Sequence, residues 1–200
     1  MEWISIVKKV LCFIMMTCLI PLYACGGNDV ERVTDNAVVT IEVAGFGNIV
    51  LELYFDKAPN TVRNFIHLIQ EGYYNGSTFH RVIENFMIQG GSGSKETCAI
   101  RGEFTSNGFE NDLLHERGVI SMARTRYPNT ATSQFFIVHK KSAHLDGEYS
   151  AFGKMISGFD VLDAIASVST SNADAPLTTV IITRITVDTK GSTYSAPTCV

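Results

Sequence analysis

Short segments in which apolar and polar residues alternate recur along this chain, and only two segments show helical spacing. Val38–Val43 and residues 49–55 flank a glycine-bearing loop and predict a β-hairpin. Further strands are predicted within 79–91 and at 119–123, 134–138, 152–156 and 179–187, and helices from about 58–60 to 72 and at 159–166. Short strands with only two helices predict a mainly β fold, in which a closed barrel is capped by helices.

The composition describes an ordinary globular chain with one core. Of the 200 residues, 46% are apolar and 18% are charged, which excludes a disordered or fibrous protein. The formal net charge of −4 argues against a nucleic-acid binder, since such proteins usually carry a basic excess. Residues 92–118 contain several glycines and few apolar runs, and they predict an extended loop region.

Residues 79–91 carry the clearest functional pattern, because Arg81 and Gln89 lie there among apolar side chains. Alternate residues of a strand share a face, so Phe79 and Arg81 are predicted on one face. Met87 and Gln89 are likewise predicted on one face of the next strand. A fixed cation on an apolar floor suits a site for an uncharged, partly hydrophobic group. An arginine whose stem covers apolar surface at a sheet edge explains the same pattern without a function.

The N-terminal residues have a different character. Two lysines precede an apolar run of 15 residues, which is short for a membrane span of about 20. This order, with a small residue at its end, is typical of a secretory signal. Residues 22–25 resemble a bacterial lipobox in which Cys25 is lipidated, although Tyr23 is not the usual small or aliphatic residue. A simple cleaved signal and an uncleaved anchor remain the alternatives.

These patterns predict four parts of the chain and a location outside the cytoplasm, anchored by lipid to a bacterial cell membrane. The parts are a lipoprotein signal peptide at 1–24, a tether at 25–36, one domain at 37–188 and a frayed C-terminal tail at 189–200. Of the five cysteines, Cys98 and Cys199 remain as candidates for a disulfide outside the cytoplasm, but their spacing does not decide it. No CxxC motif supports a zinc or thioredoxin-like site.

Four segments together resemble the cyclophilin family of peptidyl-prolyl cis-trans isomerases. They lie, in the order of the family, at 79–91, 121–124, 133–137 and 145–153. The resemblance covers roughly residues 37–188, and residues 102–112 are similar to bacterial members. It implies an eight-stranded antiparallel barrel with a helix over each end and a proline-binding groove on its outside.

The resemblance also implies roles for single residues. Arg81 corresponds to the catalytic arginine, and Gln89 to the glutamine that binds the substrate backbone and positions the arginine. The residues that correspond to the proline pocket are Phe86, Met87, Phe136 and Leu145, and those that correspond to the groove lining are Ala123 and Gln134. Three groove positions depart from common family members. Arg124 replaces an asparagine, His144 stands where many eukaryotic members carry tryptophan, and Tyr149 stands where they carry histidine.

The family's reaction needs these residue types and no metal or cofactor. An X–Pro bond resists rotation with a barrier of roughly 18–20 kcal/mol, and its twisted transition state returns a lone pair to the nitrogen. A guanidinium aimed at that nitrogen stabilises the twisted state more than either planar state. The expected partners are proline-containing polypeptides, with weak cyclosporin binding and a monomeric state. The alternative function is a non-catalytic proline-peptide binding or chaperone module at the cell surface.

Overall fold

A computed structural model describes residues 31–93 and 95–200. The predicted signal peptide, Cys25 and the first part of the tether lie outside the described residues. The strands are β1 Val38–Val43, β2 Gly47–Leu53, β3 Thr78–Ile83, β4 Met87–Gly90, β5 Val119–Met122, β6 Phe135–Val138, β7 Ala151–Ser157 and β8 Val180–Asp188, and the helices are α1 Pro59–Gln70 and α2 Phe159–Ala166. The strands pair antiparallel and close a barrel in the order β1-β2-β7-β5-β6-β4-β3-β8. The predicted barrel with two helices is therefore confirmed.

Helix α1 packs on the barrel through an aromatic cluster. The ring of Phe65 lies 5.2 to 5.3 Å, between centroids, from the rings of Tyr74, Phe135 and Phe152. All four side chains are fully buried. Aromatic pairs in tilted or edge-to-face geometry add to the free energy gained by burying their area. This cluster anchors the helix to side chains that point into the barrel. The outer face of the strands is thereby left free for a site.

The N-terminus of α1 is capped from a distant loop. Ala58, at the N-cap position, provides no side-chain hydrogen bond. The buried carboxylate of Glu103 instead accepts hydrogen bonds from the backbone nitrogen atoms of Asn60 (3.0 Å) and Thr61 (2.7 Å). A negative charge at this end of a helix is favourable because the unpaired N–H groups point outwards there. Glu103 therefore joins the long loop between β4 and β5 to the helix.

Strand β3 contains an irregularity between Phe79 and Arg81, where its register with β4 shifts. Phe79 and Val82 both lie in the core although they are three residues apart, while Arg81 is exposed on the outer face. His80 is thus the extra residue of a β-bulge. The prediction that Phe79 and Arg81 share a face is wrong, because the bulge breaks the regular alternation of side chains between them.

The C-terminal segment is held against the domain, so the prediction of a frayed tail is wrong. Cys199 forms a disulfide with Cys98, with 5.7 Å between the Cα atoms. The backbone nitrogen of Val200 donates a hydrogen bond to the carbonyl oxygen of Ala99 at 3.0 Å. The sequence named these two cysteines as candidates for a disulfide, but their separation of 101 residues left the pairing undecided.

The described part of the predicted tether also contacts the domain. Arg32 forms an antiparallel bridge with Thr193 of the C-terminal segment. Arg63 of α1 donates two hydrogen bonds to the carboxylate of Glu31, which holds the pKa of that carboxyl below its usual value. The two ends of the domain therefore run beside each other. Within the described residues, no helix is both long enough and apolar enough to cross a membrane.

Candidate active site

A row of side chains crosses the outer face of three neighbouring strands. In the pairing register, Arg81 of β3 lies opposite Gln89 of β4, and Gln89 lies opposite Phe136 of β6. Met87 packs on the same outer face, whereas the intervening Ile88 lies in the core. The structure thus confirms that Met87 and Gln89 share a face, and the bulge in β3 brings Arg81 to the same side.

These side chains line a groove of about 120 Å³ on the outside of the barrel. The groove residues are Arg81, Phe86, Met87, Gln89, Ala123, Arg124, Phe136, Leu145 and Tyr149. Met87, Phe136 and Leu145 are at most 7% exposed, so they form an apolar floor. The groove therefore offers an apolar pocket with a permanent cation at its edge, an arrangement that can hold a ring and polarise an adjoining amide.

Arg124 supports the wall of the groove. Its guanidinium carbon lies 4.5 Å from the centroid of the Tyr149 ring and 5.1 Å from that of Phe104. Its Nε and Nη2 atoms donate hydrogen bonds to the carbonyl oxygen of Glu148 at 3.2 and 2.8 Å. Because the side chain is only 13% exposed, its structural contacts use most of it. The Tyr149 ring held in this way meets Phe136 edge to face, with 5.7 Å between centroids.

A buried histidine lies behind the floor of the groove. The imidazole of His115 is within 3.1 Å of both the carboxylate of Asp146, at Nδ1, and the hydroxyl of Ser121, at Nε2. Its ring is stacked on that of Phe136. Burial lowers the pKa of His115, although hydrogen bonding to Asp146 partly offsets this effect. Since Ser121 is also fully buried, the trio cannot act as a hydrolytic triad and instead supports the floor.

The turn between β3 and β4 fixes Phe86 at the opposite wall. Asn85 adopts a left-handed conformation (φ 62°), and its backbone nitrogen donates to Nδ1 of His139 at 2.9 Å. The backbone nitrogen of His139 in turn donates to the carbonyl oxygen of Phe86 at 2.8 Å. The ring of Phe86 then packs against the imidazole of His144, with 5.4 Å between centroids. Anchoring of this turn keeps the wall in place.

Two polar contacts set the direction of the groove's hydrogen-bonding groups. Nε2 of Gln89 donates to Oε1 of Gln134 at 3.0 Å, and Nε of Arg81 donates to Oδ2 of Asp174 at 3.3 Å. Gln134, together with Gln89 and Arg124, also lines a second cavity of about 240 Å³ beside the groove. The resemblance implied that Gln89 positions Arg81. Here the guanidinium of Arg81 donates its hydrogen bond to Asp174 instead, and Gln89 is hydrogen-bonded to Gln134.

Comparisons with known proteins agree with this geometry. The sequence model of the family described as cyclophilin type peptidyl-prolyl cis-trans isomerase/CLD matches residues 38–187. The chain belongs to the cyclophilin family of peptidyl-prolyl cis-trans isomerases. It is 41% identical over 156 residues to peptidyl-prolyl cis-trans isomerase B of Escherichia coli, a match that covers 70% of this chain and 94% of the relative. An isomerase of Arabidopsis thaliana is 41% identical over 145 residues, which cover 70% of this chain and 90% of the plant protein.

Solved cyclophilin structures show the same fold. A crystal structure of a cyclophilin type isomerase from Cryptosporidium parvum superposes with a TM-score of 0.69 and 32% identity, covering 76% of this chain and 98% of the other. A second crystal structure of that protein, in the presence of the dipeptide Ala-Pro, gives a TM-score of 0.68 at the same identity. The part of the chain that these comparisons cover is the barrel domain. The family match therefore includes nearly all of the described residues.

The cyclophilin structure brings together almost all of the residues that the sequence predicted. All nine groove residues belong to the predicted set, and the two remaining members lie at its borders, with Gln134 in the second cavity and His144 against Phe86. Their roles in catalysis and binding stay predictions. Sequence reasoning missed Asp174, because it lies in a loop with no motif. It also missed His115, whose link to Phe136 arises only from the packing of a loop on the sheet.

Proposed function

We propose that this cyclophilin accelerates X–Pro isomerisation during the folding of exported or envelope proteins, with Arg81 as its catalytic residue. The observation that carries the proposal is the placement of the Arg81 guanidinium at the edge of an apolar pocket floored by Met87, Phe136 and Leu145. Uncatalysed isomerisation takes about 10–100 s at 25 °C. This step would limit the folding rate of proteins outside the cytoplasm wherever a proline must change its isomer.

The chemistry follows from the shape of the groove. The apolar floor holds the proline ring by burying its carbons, while the preceding carbonyl remains free to rotate. In the twisted state the proline nitrogen regains a lone pair, and the Arg81 guanidinium can donate a hydrogen bond to it. Since this hydrogen bond forms only in the twisted state, it lowers the barrier without holding the substrate more tightly. A rate enhancement of ~10⁵ requires about 7 kcal/mol of such differential stabilisation.

Two features support a site outside the cytoplasm. The N-terminal sequence combines a signal-like apolar run with a lipobox-like Cys25. The disulfide between Cys98 and Cys199 is of the kind that persists in oxidising compartments and is rare in the cytosol. We therefore propose that a lipid on Cys25 anchors the domain to the outer side of a bacterial cell membrane.

The activity is tested with a proline tetrapeptide whose cis-to-trans conversion is followed with and without the protein. Arg81→Ala should lower kcat/KM by at least about 100-fold, as expected when a group that acts only in the transition state is lost. Arg184→Ala is the matched control, because it removes another exposed, ion-paired arginine, 3.1 Å from Glu42, on the outside of the barrel. It should leave the rate within about twofold. Equal, near-background rates for the unaltered protein and Arg81→Ala would instead favour the non-catalytic peptide-binding module.

The location is tested separately by mass spectrometry of the protein from its own bacterial membranes. The expected N-terminal peptide begins with Cys25 carrying a lipid, and Cys25→Ser should release the domain from the membrane fraction. An unmodified Cys25 within an intact signal would overturn the lipid anchor and leave the isomerase activity unaffected.

A further inference from the structure

We propose that Asp174 is a positioning residue for Arg81. The carboxylate of Asp174 fixes the guanidinium through Nε and leaves the two terminal nitrogens of Arg81 to the substrate. The inference rests on the proposed function, because it assigns a task to a residue that touches Arg81 and lies outside the groove. Among the residues that the structure describes, Asp174 is the one whose side chain hydrogen-bonds the Arg81 guanidinium, at 3.3 Å from Nε to Oδ2.

The loop that carries Asp174 is tied to the strand that carries Arg81. This loop spans residues 167–179, between α2 and β8. The carbonyl oxygen of Asp174 accepts a hydrogen bond from the backbone nitrogen of Val82 at 2.8 Å, and Val82 directly follows Arg81. Asp174 is thus joined to β3 both by its backbone and by its side chain. The backbone bond sets the distance, and the carboxylate sets the direction of the arginine.

The turn itself holds Asp174 in an unusual conformation. Its φ is 61°, in the left-handed region, which aspartate tolerates better than most residues. Its backbone nitrogen donates to the carbonyl oxygen of Ser171 at 3.0 Å, and the nitrogen of Ser171 donates to the carbonyl oxygen of Ala175 at 2.8 Å. The hydroxyl of Ser171 also accepts a hydrogen bond from Ala173. A turn closed at so many points presents the carboxylate in one place.

Positioning matters here because an arginine has a long, flexible side chain. Arg81 is 44% exposed, so without a partner its guanidinium would sample many rotamers, and immobilising them costs free energy. Binding at Nε is suited to this task because it fixes the plane of the fork and leaves the outward N–H groups free. The carboxylate also offsets the charge of Arg81, which reduces the attraction of acidic residues to the groove.

Asp174→Ala should therefore lower kcat/KM by about fivefold, the scale of an exposed ion pair that orders a side chain. The loss should fall mainly on kcat, because Asp174 does not line the groove. Asp174→Asn keeps the size of the side chain and an acceptor oxygen, so it should lose less activity. Glu84→Gln is the matched control, since it removes one exposed negative charge from the hairpin that carries Arg81. It should leave kcat/KM within about 1.5-fold.

A double-mutant cycle separates positioning from a general structural effect. If Asp174 acts through Arg81, adding Asp174→Ala to Arg81→Ala should lower the residual kcat/KM by less than about 1.5-fold. The same fractional loss in both backgrounds would overturn the proposal. A second measurement does not depend on turnover. The NMR signal of the Arg81 Nε–H group, assigned by its absence in Arg81→Ala, should shift in Asp174→Ala and stay in place in Glu84→Gln. An unmoved signal in Asp174→Ala would overturn the hydrogen bond.

Peptide preference gives a third readout. We compare kcat/KM for tetrapeptides that carry Glu near the proline with kcat/KM for those that carry Lys. Asp174→Ala should raise the Glu-to-Lys ratio by about twofold, because the positive charge of Arg81 is then no longer offset by a carboxylate. An unchanged ratio would overturn the charge-balancing role. Failure of the proposed function looks different, since it would show as inactivity of the unaltered protein or as full activity of Arg81→Ala.

Discussion

The imidazole ring of His115 lies nearly parallel to the ring of Phe136, with 6.0 Å between their centroids and 16° between their planes. Phe136 is part of the groove floor, whereas His115 has no surface in the groove. The position of the floor therefore depends on a polar residue behind it. That residue is in turn held by Asp146 and Ser121, so the floor is supported by a small hydrogen-bonded network.

Removing this support should destabilise the domain. His115→Ala leaves a cavity and deprives Asp146 and Ser121 of their shared partner, so we expect the free energy of unfolding to fall by about 2–4 kcal/mol. Urea unfolding followed by circular dichroism measures it. His67→Ala is the control, because that histidine is 45% exposed on α1 and its loss should cost less than about 0.5 kcal/mol. Equal effects of the two substitutions would contradict a supporting role for His115.

The same histidine should make stability depend on pH. Burial lowers the pKa of His115 in the folded protein, while in the unfolded chain it stays near 6.5. Between these two pKa values the unfolded chain binds more protons, so the free energy of unfolding should decrease as the pH falls below about 6.5. Asp146 favours the charged imidazole and His144 opposes it, but burial dominates.

The difference between the unaltered protein and His115→Gln isolates this term, because the other titrating groups remain in both. Unfolding free energies at pH 7.5, 6.5 and 5.5 should show a steeper acid loss for the unaltered protein. His80, whose pKa is also lowered chiefly by burial, contributes equally to both curves. Parallel curves over this range would show that His115 is not titrating differently on folding.

Reducing the disulfide should weaken the domain through its unfolded state. Cys98 and Cys199 close a loop of about 100 residues, for which the chain-entropy model gives a stabilisation of up to about 5 kcal/mol. The double substitution Cys98→Ser and Cys199→Ser should therefore lower the free energy of unfolding by about 2–5 kcal/mol. Adding a reductant should lower the stability of the unaltered protein and have no effect on the double variant. A reductant without effect on either would mean that the bond does not form.

Cyclosporin should inhibit this cyclophilin weakly. His144 packs on Phe86 at the rim of the groove, where the imidazole offers less apolar area than the indole found in many eukaryotic members. His144→Trp should lower the inhibition constant by about tenfold, because the larger ring adds contact area and an N–H donor. His144→Phe separates the two contributions, since it adds a ring without the donor. Nanomolar inhibition of the unaltered protein would contradict the expectation.

The sequence predicted the elements well where the pattern is local. Val38–Val43 alternates, α1 has apolar residues at helical spacing and a proline in its first turn, and both were found close to the expected bounds. The groove residues were found through their motifs. Features that join distant parts of the chain were either not predicted or left undecided. Glu103 caps a helix through Asn60, which lies 43 residues earlier, and the pairing of Cys98 with Cys199, 101 residues apart, was left open.

The bulge at His80 shows the limit of strand patterns most clearly. Alternation assigns faces only while the strand stays regular, and nothing in the residues around His80 marks the point at which it stops. The register with β4 is needed to locate it. Asp174 escaped notice for a similar reason, because its contact with Arg81 depends on how a loop 93 residues away folds back on the strand.

The position of the guanidinium in this barrel depends on one irregularity of strand β3. With His80 present, Arg81 points to solvent while Phe79 fills the interior. If the strand were regular at its present length, Phe79 and Arg81 would point to the same face, and either the cation or the phenyl ring would lie on the wrong side of the wall. The bulge in β3 therefore determines where the guanidinium lies as much as the presence of the arginine does.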